Sequence, residues 1–226
     1  MQKSHPVLPF NPQKDKLLLL DFTEKNKELT DEMLADTDLF SRYIDQKLFQ
    51  HKALYGIGGY AEHRTIYSRS RLFDSAPGEE PRRFHLGIDI WGEALTPVSA
   101  PLTGKVHSFA FNDHRGDYGA TIILSHSLEG NTFYTLYGHL SLQSLQPLHE
   151  GKEIGKGEVF ASLGVAEENG HWPPHLHFQV ILDMQDYKGD YPGVCKFSEK
   201  EKYLANSPDP DIILQLKKSW MLGVRC

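Results

Sequence analysis

The chain has 226 residues, with 24 Lys and Arg against 30 Asp and Glu and a formal net charge of −6. That length buries a sizeable core and suits one main domain with extensions. Mild acidity without a basic stripe argues against nucleic acid as a partner and against electrostatic capture of an anionic polymer. Two cysteines, Cys195 and Cys226, imply no disulfide framework, and free thiols are expected.

Residues 1–15 carry Pro6, Pro9 and Pro12 and read as an extended arm. Leu17 to Leu20 reads as a short buried strand. It is too short for a signal-peptide core and sits between Lys16 and Asp21. No stretch approaches the length of a membrane span. The location expected of the chain as written is therefore the cytoplasm, with no membrane partner, or the periplasm or cell exterior if a signal has been removed. From Asp31 to about Gln50, Leu34, Leu39, Phe40, Tyr43, Ile44 and Leu48 recur at helical spacing. Thr30 or Asp31 is the expected N-cap. Tyr55-Gly-Ile-Gly-Gly-Tyr60 lacks the Gly-Lys-Ser/Thr of a phosphate-binding loop and reads as a tight turn. Ala61 to Phe73 reads as a surface loop or edge strand, in which Arg64 is a candidate to bind a substrate carboxylate. Ser75 to Arg83 is a polar connection.

From Phe84 onward the pattern is all β. Apolar runs at Leu86 to Trp91, Gly104 to Phe111, Ala120 to Ser125, Phe133 to Tyr137, Val159 to Leu163 and His177 to Leu182 are separated by turn signals such as Glu129-Gly130-Asn131. Repeated short strands without intervening helices predict a mainly β sandwich or barrel. Asp186 to Ser207 reads as a polar tail. A short final helix is expected after it, with Asp209 as N-cap and Pro210 in its first turn. The chain thus divides into an N-terminal extension with a helix (1–80), a β domain (81–183) and a C-terminal extension (184–226).

The chemistry concentrates in three short stretches: His85-Leu-Gly-Ile-Asp89, Tyr137-Gly-His139-Leu140 and His175-Leu-His177-Phe178. Catalytic zinc takes three ligands from His, Asp, Glu or Cys and keeps a position for water. Residues 175 and 177 leave the same face of a strand, about 7 Å apart. One imidazole can then bind a metal while its neighbour stands beside the water. On a straight strand His85 and Asp89 would lie about 13 Å apart, so a bend or bulge is expected at Gly87, where the missing Cβ permits unusual dihedrals. The reading is one zinc ion held by His85, Asp89 and His177, with His139 and His175 handling protons. His171 and Trp172, before the two prolines, are candidates to line the substrate entrance. His126 is a candidate partner for a ligand histidine. His107 and His114 read as ordinary strand and loop residues, and His5, His51 and His149 carry no visible chemistry.

In this order the three stretches resemble the M23 family of zinc metallopeptidases, the lysostaphin-like or LytM-type endopeptidases. Ala100-Pro-Leu-Thr-Gly-Lys-Val106, Tyr118-Gly-Ala-Thr-Ile-Ile-Leu124 and Gly151-Lys-Glu-Ile-Gly-Lys-Gly157 add to the likeness, which spans roughly residues 80 to 183. The resemblance implies antiparallel sheets enclosing a groove (the duplicated hybrid motif), zinc-dependent hydrolysis of a peptide bond in peptidoglycan-type or other small peptides, and catalytic roles for His139 and His175. Glu167-Glu-Asn-Gly-His-Trp-Pro-Pro174 departs from the Ser/Thr/Gly-rich approach common in the family, and two prolines with a tryptophan should build a stiffer, bulkier wall. The alternative readings are a catalytically inactive binding or regulatory module on the same scaffold, and a sugar-transport phosphocarrier, whose chemistry gives no reason for Asp89.

Overall fold

In the computed structural model, which describes residues 4–217, the first strand β1 (Leu17–Leu20) is followed by α1 (Asp31–Ala35), α2 (Thr37–His51) and β2 (Tyr55–Gly58). The β domain then runs through β3 (Phe84–His85), β4 (Ile88–Trp91), β5 (Pro97–Ser99), β6 (Gly104–Asn112), β7 (Gly119–Leu128), β8 (Asn131–Leu140), β9 (Glu153–Ile154), β10 (Val159–Ser162), β11 (His175–Ile181) and β12 (Val194–Cys195). Two short helices close the described chain, α3 (Lys200–Asn206) and α4 (Asp211–Leu214). Cys195 is a buried free cysteine; Cys226 lies outside the described residues.

The expected mainly β fold is present. Eight strands form one sheet in the order β1-β2-β4-β11-β8-β7-β6-β9, and β10 with β5 and β12 with β3 make two small pairs. The large sheet is mixed because β1 runs parallel to β2, whereas the other pairs are antiparallel. The β7–β8 hairpin turns at Glu129 and Gly130, both at positive φ, as a tight two-residue connection requires.

Alternation along the strands assigns each residue its side of the sheet. Ile88 and Ile90 of β4 and Leu176, Phe178 and Val180 of β11 enter the main core, with Val98, Ile122, Leu124, Tyr137, Leu140 and Phe160. Their neighbours Asp89, Trp91, His175, His177 and Gln179 therefore share the opposite face. Part of that face is covered by the N-terminal extension: Phe22 and Phe40 pack on Trp91, with ring centroids 5.2 and 5.7 Å from the indole. The arm also packs inward, Val7 and Leu8 being part of the main core.

Four local expectations are corrected. The single helix from Asp31 divides at Asp36, whose φ of −104° and ψ of 115° leave the helical region. Its carboxylate accepts from the N–H groups of Asp38 and Leu39 and so starts α2, a local competition typical of aspartate. Thr30, one of the two expected caps, starts α1 by accepting from the Met33 N–H. The glycine-rich run is a strand inside the sheet. A Cβ at Gly56 would collide with Leu20, and one at Gly58 would lie 2.7 Å from the Arg64 guanidinium, so these glycines make room rather than turns. The tail contains α3, anchored where Tyr203 and Leu204 pack on Phe84, Leu86 and Cys195. The last helix begins at Asp211, one residue later than expected, although the Asp209 carboxylate still accepts from the Asp211 N–H.

Candidate metal centre

Register brings the three stretches together. His177 of β11 lies directly opposite Asp89 of β4 and opposite Gly138 of β8. His85 arrives from a different sheet: it pairs with Val194 of β12, and the chain then crosses to β4. The expected bend between His85 and Asp89 is thus a change of sheet. Gly87 is not among the positive-φ residues. Its missing Cβ serves space instead, because a Cβ there would lie 2.6 Å from His177 Cε1 and 2.8 Å from the Phe178 carbonyl oxygen.

His85 Nε2, His177 Nδ1 and Asp89 Oδ1 form a triangle with edges of 3.0, 3.0 and 3.2 Å. All three side chains are buried. Among the described residues this is the one His/Cys/Asp/Glu trio whose ligand atoms come so close together.

The surrounding groups decide where the protons are. His85 Nδ1 lies 3.0 Å from the Gly59 carbonyl, which can only accept, so Nδ1 carries the proton. His177 Nε2 faces Gln179 Oε1 at 3.0 Å. The Gln179 amide is oriented by donating to the Pro192 carbonyl and the Ser207 hydroxyl. Nε2 of His177 is therefore the protonated nitrogen. Burial, reinforced by the Arg64 charge, pushes His85 down to about 3, so it is neutral at ordinary pH. Burial pushes the Asp89 carboxyl up, but its polar surroundings, the Arg64 guanidinium among them, outweigh it, and the group stays well below the usual carboxylate range.

Two imidazole lone pairs and a carboxylate oxygen thus converge with no proton between them. Such a cluster is repulsive unless a cation occupies its centre. Ligands on a tetrahedral zinc at about 2.0–2.1 Å stand about 3.3 Å apart. The observed edges and the His₂Asp donor set fit that metal.

His139 and His175 stand beside the trio, their ring centroids 4.1 Å apart. His139 Nδ1 donates to the Asn169 carbonyl and His175 Nδ1 to the Pro173 carbonyl, each at 2.8 Å. Each ring therefore presents an unprotonated Nε2. Burial pushes His175 down to about 4 and, with the His175 ring next to it, His139 well below the ordinary histidine value. His175 is stacked on Trp91 at 3.9 Å. His139 has φ +62°, a left-handed conformation that costs a residue with a Cβ about 1–2 kcal/mol and marks a constrained position.

A cavity of about 290 Å³ opens over these groups and is lined by Asp89, His139, His175 and His177. Its walls include residues of both extensions, Ile66, Tyr67, Leu72 and Phe73 from the first and Asp190 to Val194 from the second. Residues 83–188 match the model of Peptidase family M23. That match spans slightly less than half of the chain.

Solved structures similar to this chain include the catalytic domain of the antimicrobial peptidase lysostaphin from Staphylococcus simulans. It is 19% identical, with 77% of this chain and 97% of that chain covered and a TM-score of 0.43. A zinc containing peptidase from Vibrio cholerae is 24% identical, covering 53% and 35%, with a TM-score of 0.38. A mutant form of the catalytic domain of the prophage-encoded M23 protein EnpA from Enterococcus faecalis is 21% identical, covering 54% and 87%, with a TM-score of 0.37. Comparison with curated protein sequences yields no match.

The remaining candidate residues fall in different places. Trp172 lines the cavity. His171 does not: its side chain is exposed, and its carbonyl accepts from Thr37 and Arg69. Arg64 is fully buried behind Asp89, where its guanidinium engages the carboxylate, Glu62 and the Gly59 carbonyl. It does not line the groove. His126 is buried on β7 against the Thr103 carbonyl and the Thr135 hydroxyl, away from the ligand histidines.

The partners that hold His85 and His177, Gly59 and Gln179, are not singled out by the motifs. Gln179 had a signal, since it stands two residues beyond His177 on the same strand face. Tyr118, which opens one of the family-like segments, occupies the space above Gly138 and brings its hydroxyl 3.4 Å from His177 Nε2, a contact that only the folded sheet reveals. Among the described residues no helix is long and apolar enough to cross a membrane.

Proposed function

We propose that the chain is a zinc-dependent metallopeptidase that hydrolyses a peptide bond, with one ion held by His85, Asp89 and His177. The observation that carries this reading is the convergence of three proton-free acceptor atoms beside two neutral imidazoles in one groove. Zinc, when bound, would supply a Lewis acid that activates water and polarises the scissile carbonyl.

The chain's own residues handle the protons. Nε2 of His139 or His175 accepts a proton from the attacking water and passes it to the leaving amine. Burial, which lowers the proton affinity of both rings, makes the transient imidazolium a ready donor. The neighbouring ring can serve the carbonyl oxygen, as negative charge develops there, only in the form protonated at Nε2. The carbonyls of Asn169 and Pro173 hold both rings in the required tautomer.

Trp172 and Tyr67 stand in the cavity walls as substrate contacts. At about 290 Å³ the cavity suits a short stretch of peptide, of peptidoglycan type or otherwise. The test is hydrolysis of a panel of short peptides and peptidoglycan fragments. Activity lost on treatment with a chelator and restored by zinc is the expected result. Activity that survives chelation, with the metal shown to be gone, contradicts the reading.

A further inference from the structure

We infer that Arg64, on a segment outside the family-matched residues, is a positioning residue of the metal centre and makes metal retention depend on the N-terminal extension. This rests on the metal-centre reading above.

The Asp89 carboxylate is divided between two tasks. Oδ1 faces the two ligand nitrogens, at 3.2 and 3.0 Å. Oδ2 accepts from Arg64 Nη1 at 2.5 Å. The guanidinium thus holds the oxygen that points away from the histidines, which leaves Asp89 to offer a single oxygen to a cation. A guanidinium suits this role because its planar fork cannot swing as an ammonium does. Here every arm is anchored: Nε donates to Glu62 at 3.0 Å, Nη2 to the Gly59 carbonyl at 2.7 Å, and Nη1 also approaches the Tyr67 hydroxyl at 3.5 Å.

The Gly59 carbonyl is the second half of the device. It accepts from Arg64 Nη2 and also from His85 Nδ1. One backbone oxygen therefore ties the arginine that orients Asp89 to the proton that fixes the tautomer of His85. Two of the three ligands are set by residues 59–64, whereas the family match begins at residue 83. The segment is held in turn by β2, which pairs with β4 and places Gly58 opposite Asp89.

Two variants of the full chain separate this role from mere packing. Arg64→Lys keeps the charge and loses the fork. Gly58→Ala leaves every ionisable group in place but sets a Cβ 2.7 Å from Arg64 Nη2, displacing the guanidinium. Zinc affinity is measured by competition with a chromophoric chelator. The visible absorption of the cobalt(II)-substituted protein reports ligand geometry, and thermal unfolding reports the fold.

Both variants are expected to unfold cooperatively, to bind zinc about 10–100-fold more weakly than the parent, and to show an altered cobalt spectrum. A folded variant of either kind with parental zinc affinity and an unchanged cobalt spectrum overturns the inference. If Arg64→Lys does not fold, Gly58→Ala decides alone. A parent chain that binds neither zinc nor cobalt overturns the metal-centre reading itself, and this inference with it.

Discussion

His139→Asn and His175→Asn are each expected to lower kcat/KM for a peptide substrate by about 10²–10⁴-fold, the usual contribution of a positioned acid or base, while zinc content stays at the parental level. The two rings border the trio without belonging to it: their Nδ1 atoms are bound to the carbonyls of Asn169 and Pro173, and their Nε2 atoms are unprotonated. Asparagine is chosen because position 139 has φ +62°. Asparagine tolerates that left-handed conformation better than alanine does. A stability loss from backbone strain is thereby separated from the loss of a proton carrier. Kinetics and metal analysis on the same preparations check the prediction. Loss of zinc in either variant would make that histidine a ligand, and an unchanged rate would remove it from the chemistry.

Gly87→Ala should disable the site without altering any ligand. A Cβ there would lie 2.6 and 2.7 Å from Cε1 and Nε2 of His177 and 2.8 Å from the Phe178 carbonyl. The carbonyl belongs to the sheet, where Phe178 pairs with Ile88 and Tyr137, and cannot withdraw. The imidazole is held by Gln179. Relief must therefore come from moving His177 or prising β4 from β11. Overpacking of this kind costs about 1–3 kcal/mol, and a loss of zinc affinity of about 5- to 150-fold is expected if that cost falls on the bound state, since about 1.4 kcal/mol is a factor of ten. Zinc titration with thermal unfolding on the same protein checks it. Parental affinity and stability would show that Gly87 is not needed for space.

What was legible in the sequence is what alternation and short motifs encode. His175 and His177 share a face because they are two residues apart on a strand, and Ile88 and Ile90 declare by the same rule that Asp89 points the other way. Glu129 and Gly130 announce the β7–β8 turn. The illegible part depends on contacts distant in the chain. Gly56 and Gly58 look like turn residues until Leu20 and Arg64 are seen to fill the space their side chains would need. Arg64 looks like a surface cation until the β2–β4 pairing buries it against Asp89. Asp36 interrupts a stretch whose apolar spacing reads as one helix, because its carboxylate caps the second helix more favourably than the first continues. The motif His85-Leu-Gly-Ile-Asp89 gives two members of the trio, but only the passage from β3 to β4 shows how they meet.

The central claim is a single zinc ion held by His85, Asp89 and His177. The most direct measurement is the metal content of the full chain purified without chelator or added metal, beside His85→Ala and His177→Ala. The account predicts zinc at about one ion per chain, the count set by a single three-ligand site, and its loss in both variants. A parent chain free of metal even after zinc titration, or variants that retain it, would contradict the account.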